Sequence, residues 1–231
     1  MRRFYKDVAA VPGDEGFEVH LDGKPIRTPG KSVLRLPNQS LADAIANEWS
    51  DQRETVELGV MPLTRLAYAA IDFVAGNRAE VVDQIAKYAE TDLVSYRAAA
   101  PFQLREFQTN AWQPMVEWLD ERFGVKLAIT EGVVPIPQDP EHLATIHGVI
   151  EEIDDFRLAA MREITTSSGS VVVALALWDN AIEPDMAWRV AQVEEDFQIG
   201  FWGDDPTAMA MREGRKQALM AGAAVLRLLN A

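Results

Sequence analysis

The spacing of apolar residues changes once along this 231-residue chain, and that change constrains the fold more than any other feature. In the first sixty residues, Phe17–Leu21 and 32–36 alternate apolar and polar side chains. A period of two is typical of a half-buried strand. From Pro62 onward the apolar residues recur every three or four positions, as in amphipathic helices. The sequence therefore predicts a small sheet followed by a long series of helices.

Turn signals divide the early segment into short antiparallel strands. Asp22 and Gly23 follow one alternating run and favour a tight hairpin, and Pro29 with Gly30 closes the next. The segment 4–8 could pair at an edge of this sheet. We therefore expect a small antiparallel sheet within the first forty residues.

A first helix is expected directly after the sheet. The residues Asn38-Gln39-Ser40 offer side chains that could cap its N-terminus. Leu41, Ile45 and Trp49 then recur at four-residue spacing, so one face of the helix is apolar. That face is expected to pack on the sheet.

Helical patterns account for most of the remaining chain. One long helix, or two, is expected between Pro101 and Gly124, where Pro114 could kink or restart it, and the proline-rich 133–140 should be a connector. Further helices are predicted to start near Glu141, Asp154, Ser170, Glu183 and Asp205. Trp49, Trp112 and Trp118 fall within apolar patterns and are expected in the core.

These patterns predict the α+β class. Residues 1–60 are expected to form a small α/β domain with an antiparallel sheet, and residues 61–231 a larger all-helical bundle domain. The boundary is placed near Gly59–Pro62.

The charge of the chain excludes several classes of partner. The formal net charge is −14, of which the first sixty residues contribute −2 and the rest −12. Nucleic-acid binding needs a basic surface, and an anionic membrane would repel this chain.

No segment approaches the roughly 18 uninterrupted apolar residues of a membrane span. The N-terminal residues lack the apolar run of a secretory signal, so we expect a soluble, cytoplasmic protein.

Residues suited to catalysis or metal binding are scarce. The chain has no cysteine, which excludes thiolate chemistry and disulfides. His142 and His147 are five residues apart on a predicted helix and would not share a face as a zinc pair does. The run Thr165–Ser170 could bind an anion at a helix N-terminus, or could simply cap that helix. No metal or cofactor is expected.

The segment Glu194–Asp205 is the most informative for function. An acidic cluster there leads into a Trp202-Gly203 turn flanked by further acidic residues. If the segment is helical, Glu194, Gln198 and Phe201 lie close to one face. Aromatic residues ringed by charge are typical of a protein-binding hot spot. The alternative is a buried tryptophan that joins two helices behind a solvated acidic face.

Seven segments, taken in order, resemble a known family, the assembly chaperones of the ATP synthase F-one sector (the Atp-twelve family), which handle the alpha subunit. The matching segments are 3–6, 21–29, 44–49, 61–67 with 70–72, 91–93 with 96–98, 112–114 with Trp118, and 194–203. The departures are mild: Tyr68 stands where a smaller or polar residue is usual, Val94-Ser95 replaces a Leu-Cys pair, and Gln113 replaces an Asp.

The resemblance implies a function as well as a fold. It implies a small α/β domain, a helical domain, no catalysis and no cofactor. It also implies that the protein binds the unassembled alpha subunit, prevents its aggregation and promotes assembly of the complex, and we expect the chain to be a monomer. Family members occur in mitochondria and in alphaproteobacteria, and we expect this chain in a bacterial cytoplasm. Two alternatives stay open: an enzyme that binds a nucleotide or small molecule in an interdomain cleft, and a structural subunit of a larger complex.

The resemblance also suggests partner-binding residues. It highlights a glutamate in the late acidic segment, which corresponds to Glu194, with Glu195 and Gln198 as further candidates. Phe201 and Trp202 supply the aromatic anchors. Glu194 could contact the client directly, or could form a salt bridge inside the bundle and support the fold.

Overall fold

The computed structural model describes residues 1–231 and has the α+β architecture predicted from the sequence. The strands are β1 (Val8–Gly13), β2 (Gly16–Leu21), β3 (Lys24–Pro25), β4 (Arg35–Leu36), β5 (Tyr96–Arg97) and β6 (Thr130–Glu131). The helices are α1 (Gln39–Ser50), α2 (Pro62–Ala69), α3 (Arg78–Ala86), α4 (Phe102–Phe123), α5 (Pro140–Glu151), α6 (Asp155–Ser168), α7 (Val171–Trp178), α8 (Pro184–Ala191), α9 (Val193–Trp202) and α10 (Pro206–Leu229). No helix is long and apolar enough to cross a membrane.

The contacts of the chain divide into two compact units. Unit 1 contains Met1–Arg78 together with Asp154–Ala160 and Ala221–Ala231, and unit 2 contains Ala79–Ile153 and Met161–Met220. Unit 1 therefore includes later segments that the sequence pattern assigns to the helical region. The proposed division into a domain of residues 1–60 and a domain of residues 61–231 stays a prediction.

The sheet of unit 1 is antiparallel, with β2 pairing with β1, β3 and β4. The predicted hairpin turn is present, and Asp22 and Gly23 both have positive φ, which suits an Asp-Gly pair. The edge strand begins at Val8, later than the expected 4–8. The reason is that the backbone N–H groups of Lys6 and Asp7 donate to the Asp22 carboxylate instead of to a neighbouring strand.

Helix α1 covers the sheet as its pattern predicts. The Asn38 side chain accepts a hydrogen bond from the Leu41 N–H and caps the helix. Leu41, Ile45 and Trp49 are all buried. Glu48 on α1 links this helix to α2. Its carboxylate accepts hydrogen bonds from the N–H groups of Leu63 and Thr64 in the first turn of α2.

Asp72 holds the loop after β3 in place. Its carboxylate accepts the Thr28 hydroxyl at 2.6 Å and the Gly30 N–H at 2.7 Å. Asp72 lies in the π-helical segment Ala70–Val74 that extends α2. A Cβ at Gly30 would lie 2.6 Å from the Asp72 carboxylate, so a larger residue at this position would force that side chain to shift.

Unit 2 is built around α7, whose residues Val171–Leu177 are all buried. Helix α4 continues through Pro114 as one helix and ends at Gly124, which has a positive φ. Trp112 is fully buried as expected, whereas Trp118 is only half-buried. A short parallel pair, β5 with β6, was not expected from the sequence and joins the segment before α4 to the connector before α5.

Candidate functional site

Helix α9 is the element that presents the acidic and aromatic residues singled out in the sequence. It begins after Gln192 and ends at Gly203, whose positive φ terminates it. Unlike α4 and α7, it contains no buried residue. Helices of globular proteins usually bury one face, whereas the inner side of α9 is only half-buried and its large aromatic side chains leave apolar surface in solvent.

Two ion pairs hold α9 on the unit 2 portion of α10. Glu195 pairs with Arg215, and Asp196 pairs with Arg212. Arg212 also lies 5.6 Å from the ring centroid of Trp188 on α8. Two of the three acidic residues in the first turn of α9 therefore already have cationic partners within the molecule.

Glu194 has a different environment. Its carboxylate accepts a hydrogen bond of 2.6 Å from the side-chain amide of Gln108 on α4. Gln108 is fully buried, and its carbonyl oxygen accepts the Ala98 N–H, also at 2.6 Å. Glu194 itself is exposed and forms no ion pair, so its charge is positioned but not neutralised. Of the two possibilities left open for Glu194, client contact or a salt bridge inside the bundle, the second finds no cationic partner for its carboxylate.

Aromatic side chains continue the exposed face of α9. Phe197 lies 5.1 Å from Phe201 and 6.1 Å from Phe107 on α4, measured between ring centroids. Phe201 is 63% exposed and the adjacent Trp202 is 82% exposed. Trp202 is thus not a buried residue joining two helices. We call Phe107, Glu194, Phe197, Gln198, Phe201 and Trp202 the α9 surface.

An open cavity of about 850 Å³ lies beside Glu194. Glu194 lines it together with the segment Tyr96–Ala100 and with Val133, which is almost fully exposed. Arg97 in its wall stacks on Trp112, with 5.3 Å between the guanidinium and the ring centroid, and donates to the Val94 carbonyl. Burial lowers the pKa of Arg97, and its Nη2 atom has no hydrogen-bond partner.

The structure places the partner-binding residues expected from the sequence on one helix, but these residues differ in exposure and in ion pairing. Glu194, Gln198, Phe201 and Trp202 are exposed, whereas Glu195 is half-buried and paired with Arg215. Sequence reasoning missed Gln108. Its position four residues before Trp112, on the buried face of α4, is the signal that could have identified it.

The other candidate residues have internal partners. His142 contacts the Lys126 carbonyl and His147 contacts Asp83. No group of three or more histidine, cysteine or acidic residues is arranged to hold a metal ion.

The possible anion site at the start of α7 is filled by the chain's own Asp92. Its carboxylate accepts the Ser170 hydroxyl at 2.7 Å and the backbone N–H groups of Val171 and Val172. Burial raises the pKa of Asp92 to about 6, although these donors and the Val94 N–H favour the ionised form. Residues 165–170 therefore end one helix and cap the next, which agrees with the capping interpretation.

Comparison with known proteins decides the family. The sequence profile of the ATP12 chaperone protein family matches residues 2–120. A crystal structure of Atp12 from Paracoccus denitrificans superposes with a TM-score of 0.94 and 37% identity, covering 98% of this chain and 97% of that one. The chain belongs to the ATP12 chaperone family.

Two further relatives extend the comparison. The mitochondrial protein atp12 of Schizosaccharomyces pombe is 24% identical over 237 residues, which cover 97% of this chain and 81% of that protein. A crystal structure of a protein from Agrobacterium tumefaciens has a TM-score of 0.94 and 36% identity, covering 99% of this chain and 86% of that one. The ATP12 fold is therefore shared along nearly the whole chain, including α9, which lies beyond the residues matched by the family profile.

Proposed function

We propose that this ATP12 family member is an assembly chaperone of the ATP synthase that binds the unassembled alpha subunit and keeps it from aggregating. The observation that carries the proposal is the α9 surface, where Phe201 and Trp202 stand in solvent on the same helix as the exposed Glu194 carboxylate, which has no cationic partner. Exposed apolar surface of this kind marks protein-interaction sites. The proposal includes no catalytic step and no cofactor.

The arrangement suits a client with an apolar patch and a basic side chain. Aromatic residues such as Trp202 supply large contact areas and are enriched among the residues that dominate binding energy. Glu194 is held by Gln108 in a defined position, which reduces the entropy lost when a cationic group binds it. A basic surface on the client would also raise the association rate, because opposite charges attract and this chain carries a net charge of −14.

The roles of individual residues follow from their environments. We assign direct client contact to Glu194, Gln198, Phe201 and Trp202. Glu195 is assigned a supporting role, because its ion pair with Arg215 holds α9 on α10. A monomeric chaperone in the bacterial cytoplasm, binding one alpha subunit, completes the proposal.

An aggregation assay tests the proposed function. Purified alpha subunit is diluted from denaturant with and without the chaperone, and light scattering is followed. We expect an equimolar amount of chaperone to suppress the scattering. Scattering that stays unchanged with folded chaperone present would contradict the proposal.

A further inference from the structure

Unit 1 contains a second open cavity, of about 820 Å³, that is separate from the α9 surface. Its walls are mostly apolar or aromatic and include Tyr5, Leu21, Ile26, Trp49, Val56 and Tyr68. At its mouth stand three large apolar side chains in solvent: Met1 is 72% exposed, Phe4 65% and Leu58 41%. The apolar lining therefore continues onto the surrounding surface.

The wall of this cavity holds an unpartnered hydrogen-bond donor. Trp49 is 95% buried, yet its indole Nε1 has no hydrogen-bond partner. Buried polar groups in native proteins almost always have one, so an occupant that reached Nε1 with an acceptor would gain a hydrogen bond that the free protein leaves unmade. Tyr68, whose pKa is raised to about 12 by burial and by the nearby Asp72, supplies a protonated hydroxyl as a second donor group among the residues of the wall.

The charged residues at the cavity are predominantly cationic, in contrast with the acidic chain as a whole. Lys24 and Arg27 line it and are exposed, and neither pairs with a carboxylate. The carboxylate of Asp22 also lies here but is engaged by the backbone N–H groups of Lys6 and Asp7, which lower its pKa. The cavity thus combines apolar walls, hydrogen-bond donors and two cations that have no carboxylate partner.

We propose that this cavity is a second client-docking groove, whose occupant is an apolar polypeptide segment that carries an acidic side chain. The acidic group would pair with Lys24 and Arg27, and acceptor oxygens of the segment would complement Trp49 and Tyr68. A polypeptide fits better than a small acyl ligand, because only a larger partner also covers Met1, Phe4 and Leu58 at the mouth. The identity of the occupant rests on the proposed function, since the segment belongs to the alpha subunit.

The groove is tested on the full chain by nuclear magnetic resonance and by affinity measurement. The protein has six tryptophans, so a ¹⁵N-labelled sample gives six indole N–H resonances, and Trp49→Phe assigns the one of interest. Overlapping peptides of the alpha subunit are titrated, with laurate as the acyl probe. In parallel, affinity for the whole alpha subunit is measured for Lys24→Glu and for Arg53→Glu, an exposed residue of the same unit that does not line the cavity.

We expect an apolar peptide with an acidic residue to shift the Trp49 resonance, and Lys24→Glu to weaken alpha-subunit binding about tenfold while Arg53→Glu changes it less than twofold. The groove proposal is overturned by a Trp49 resonance that no peptide shifts, by a shift with laurate alone, or by equal affinities of the two variants. If the wild-type protein does not bind the alpha subunit at all, the proposed function fails. If the wild-type protein binds the alpha subunit normally but any one of these three results is found, the groove proposal fails and the proposed function stands.

Discussion

The buried amide of Gln108 and the exposed carboxylate of Glu194 form a hydrogen bond of 2.6 Å across 86 positions of the sequence. The same Gln108 side chain accepts the Ala98 N–H through its other end. One buried residue therefore joins the backbone before α4 to the acidic group of the α9 surface. The link positions the one acidic residue in the first turn of α9 that has no arginine partner, whereas its two neighbours pair with arginines of α10.

The first prediction separates the structural part of this link from its binding part. Gln108→Ala leaves the Ala98 N–H without its partner and should lower the free energy of unfolding by about 1–3 kcal/mol. Glu194→Gln removes only an exposed charge and should change it by less than about 0.5 kcal/mol. Urea denaturation of both variants measures the difference. Equal destabilisation by the two substitutions would show that Glu194 supports the fold.

The second prediction concerns the aromatic part of the α9 surface. Trp202→Ser should weaken binding to the alpha subunit at least about 30-fold, because exposed tryptophans dominate binding energy when a partner buries them. Its thermal stability should stay close to that of the wild type, since Trp202 is 82% exposed. Met211→Ser is the matched control, because Met211 is a large exposed apolar residue outside the α9 surface. Similar affinities of the two variants, measured by calorimetry, would remove Trp202 from the site.

The third prediction uses the close approach of Gly30 to Asp72. Gly30→Ala should destabilise the protein by about 1–3 kcal/mol, because the new methyl group overlaps the carboxylate. In an Asp72→Ala background the same substitution should cost less than about 1 kcal/mol, since the overlap is gone. Gly59→Ala, where a Cβ meets nothing within 4 Å, is the control. Additive effects of the two substitutions in a double-mutant cycle would contradict the contact.

The fourth prediction concerns the pH dependence of stability. The pKa of Asp92 is raised by burial to about 6 in the folded protein, above its ordinary value of 3.8, so the folded state binds the proton more tightly. The stabilisation from protonated Asp92 is fully present below pH 3.8 and is lost as the pH rises through 6. Relative to Asp92→Asn, the wild type should therefore lose about 3 kcal/mol of unfolding free energy over this window. A difference that grows with pH instead would mean that the four hydrogen bonds outweigh burial.

Local signals in the sequence predicted much of the fold. The Asp22-Gly23 turn, the Asn38 cap and the apolar stripe from Leu41 to Trp49 depend on residues near one another in the chain, and all three are confirmed. The N-terminal strand was placed too early because Lys6 and Asp7 bond to the Asp22 side chain, an interaction that an alternating pattern does not contain.

The candidate site was predictable only in part. The acidic and aromatic residues of α9 are visible in the sequence, and the structure adds that Trp202 and Phe201 are exposed. The partners of buried polar groups were not predictable, because Gln108 and Asp92 bond to residues 86 and 78 to 80 positions away. Polar residues at helical spacing give no information about which distant donor or acceptor they will meet.

The most direct test of the account is complex formation between the purified protein and isolated alpha subunit, measured by size-exclusion chromatography with light scattering. We predict a complex of one chaperone with one alpha subunit that forms with the wild type and is weakened by Glu194→Lys, while that variant keeps the circular dichroism spectrum of the wild type. A folded wild-type protein that elutes separately from the alpha subunit at micromolar concentrations would contradict the central claim.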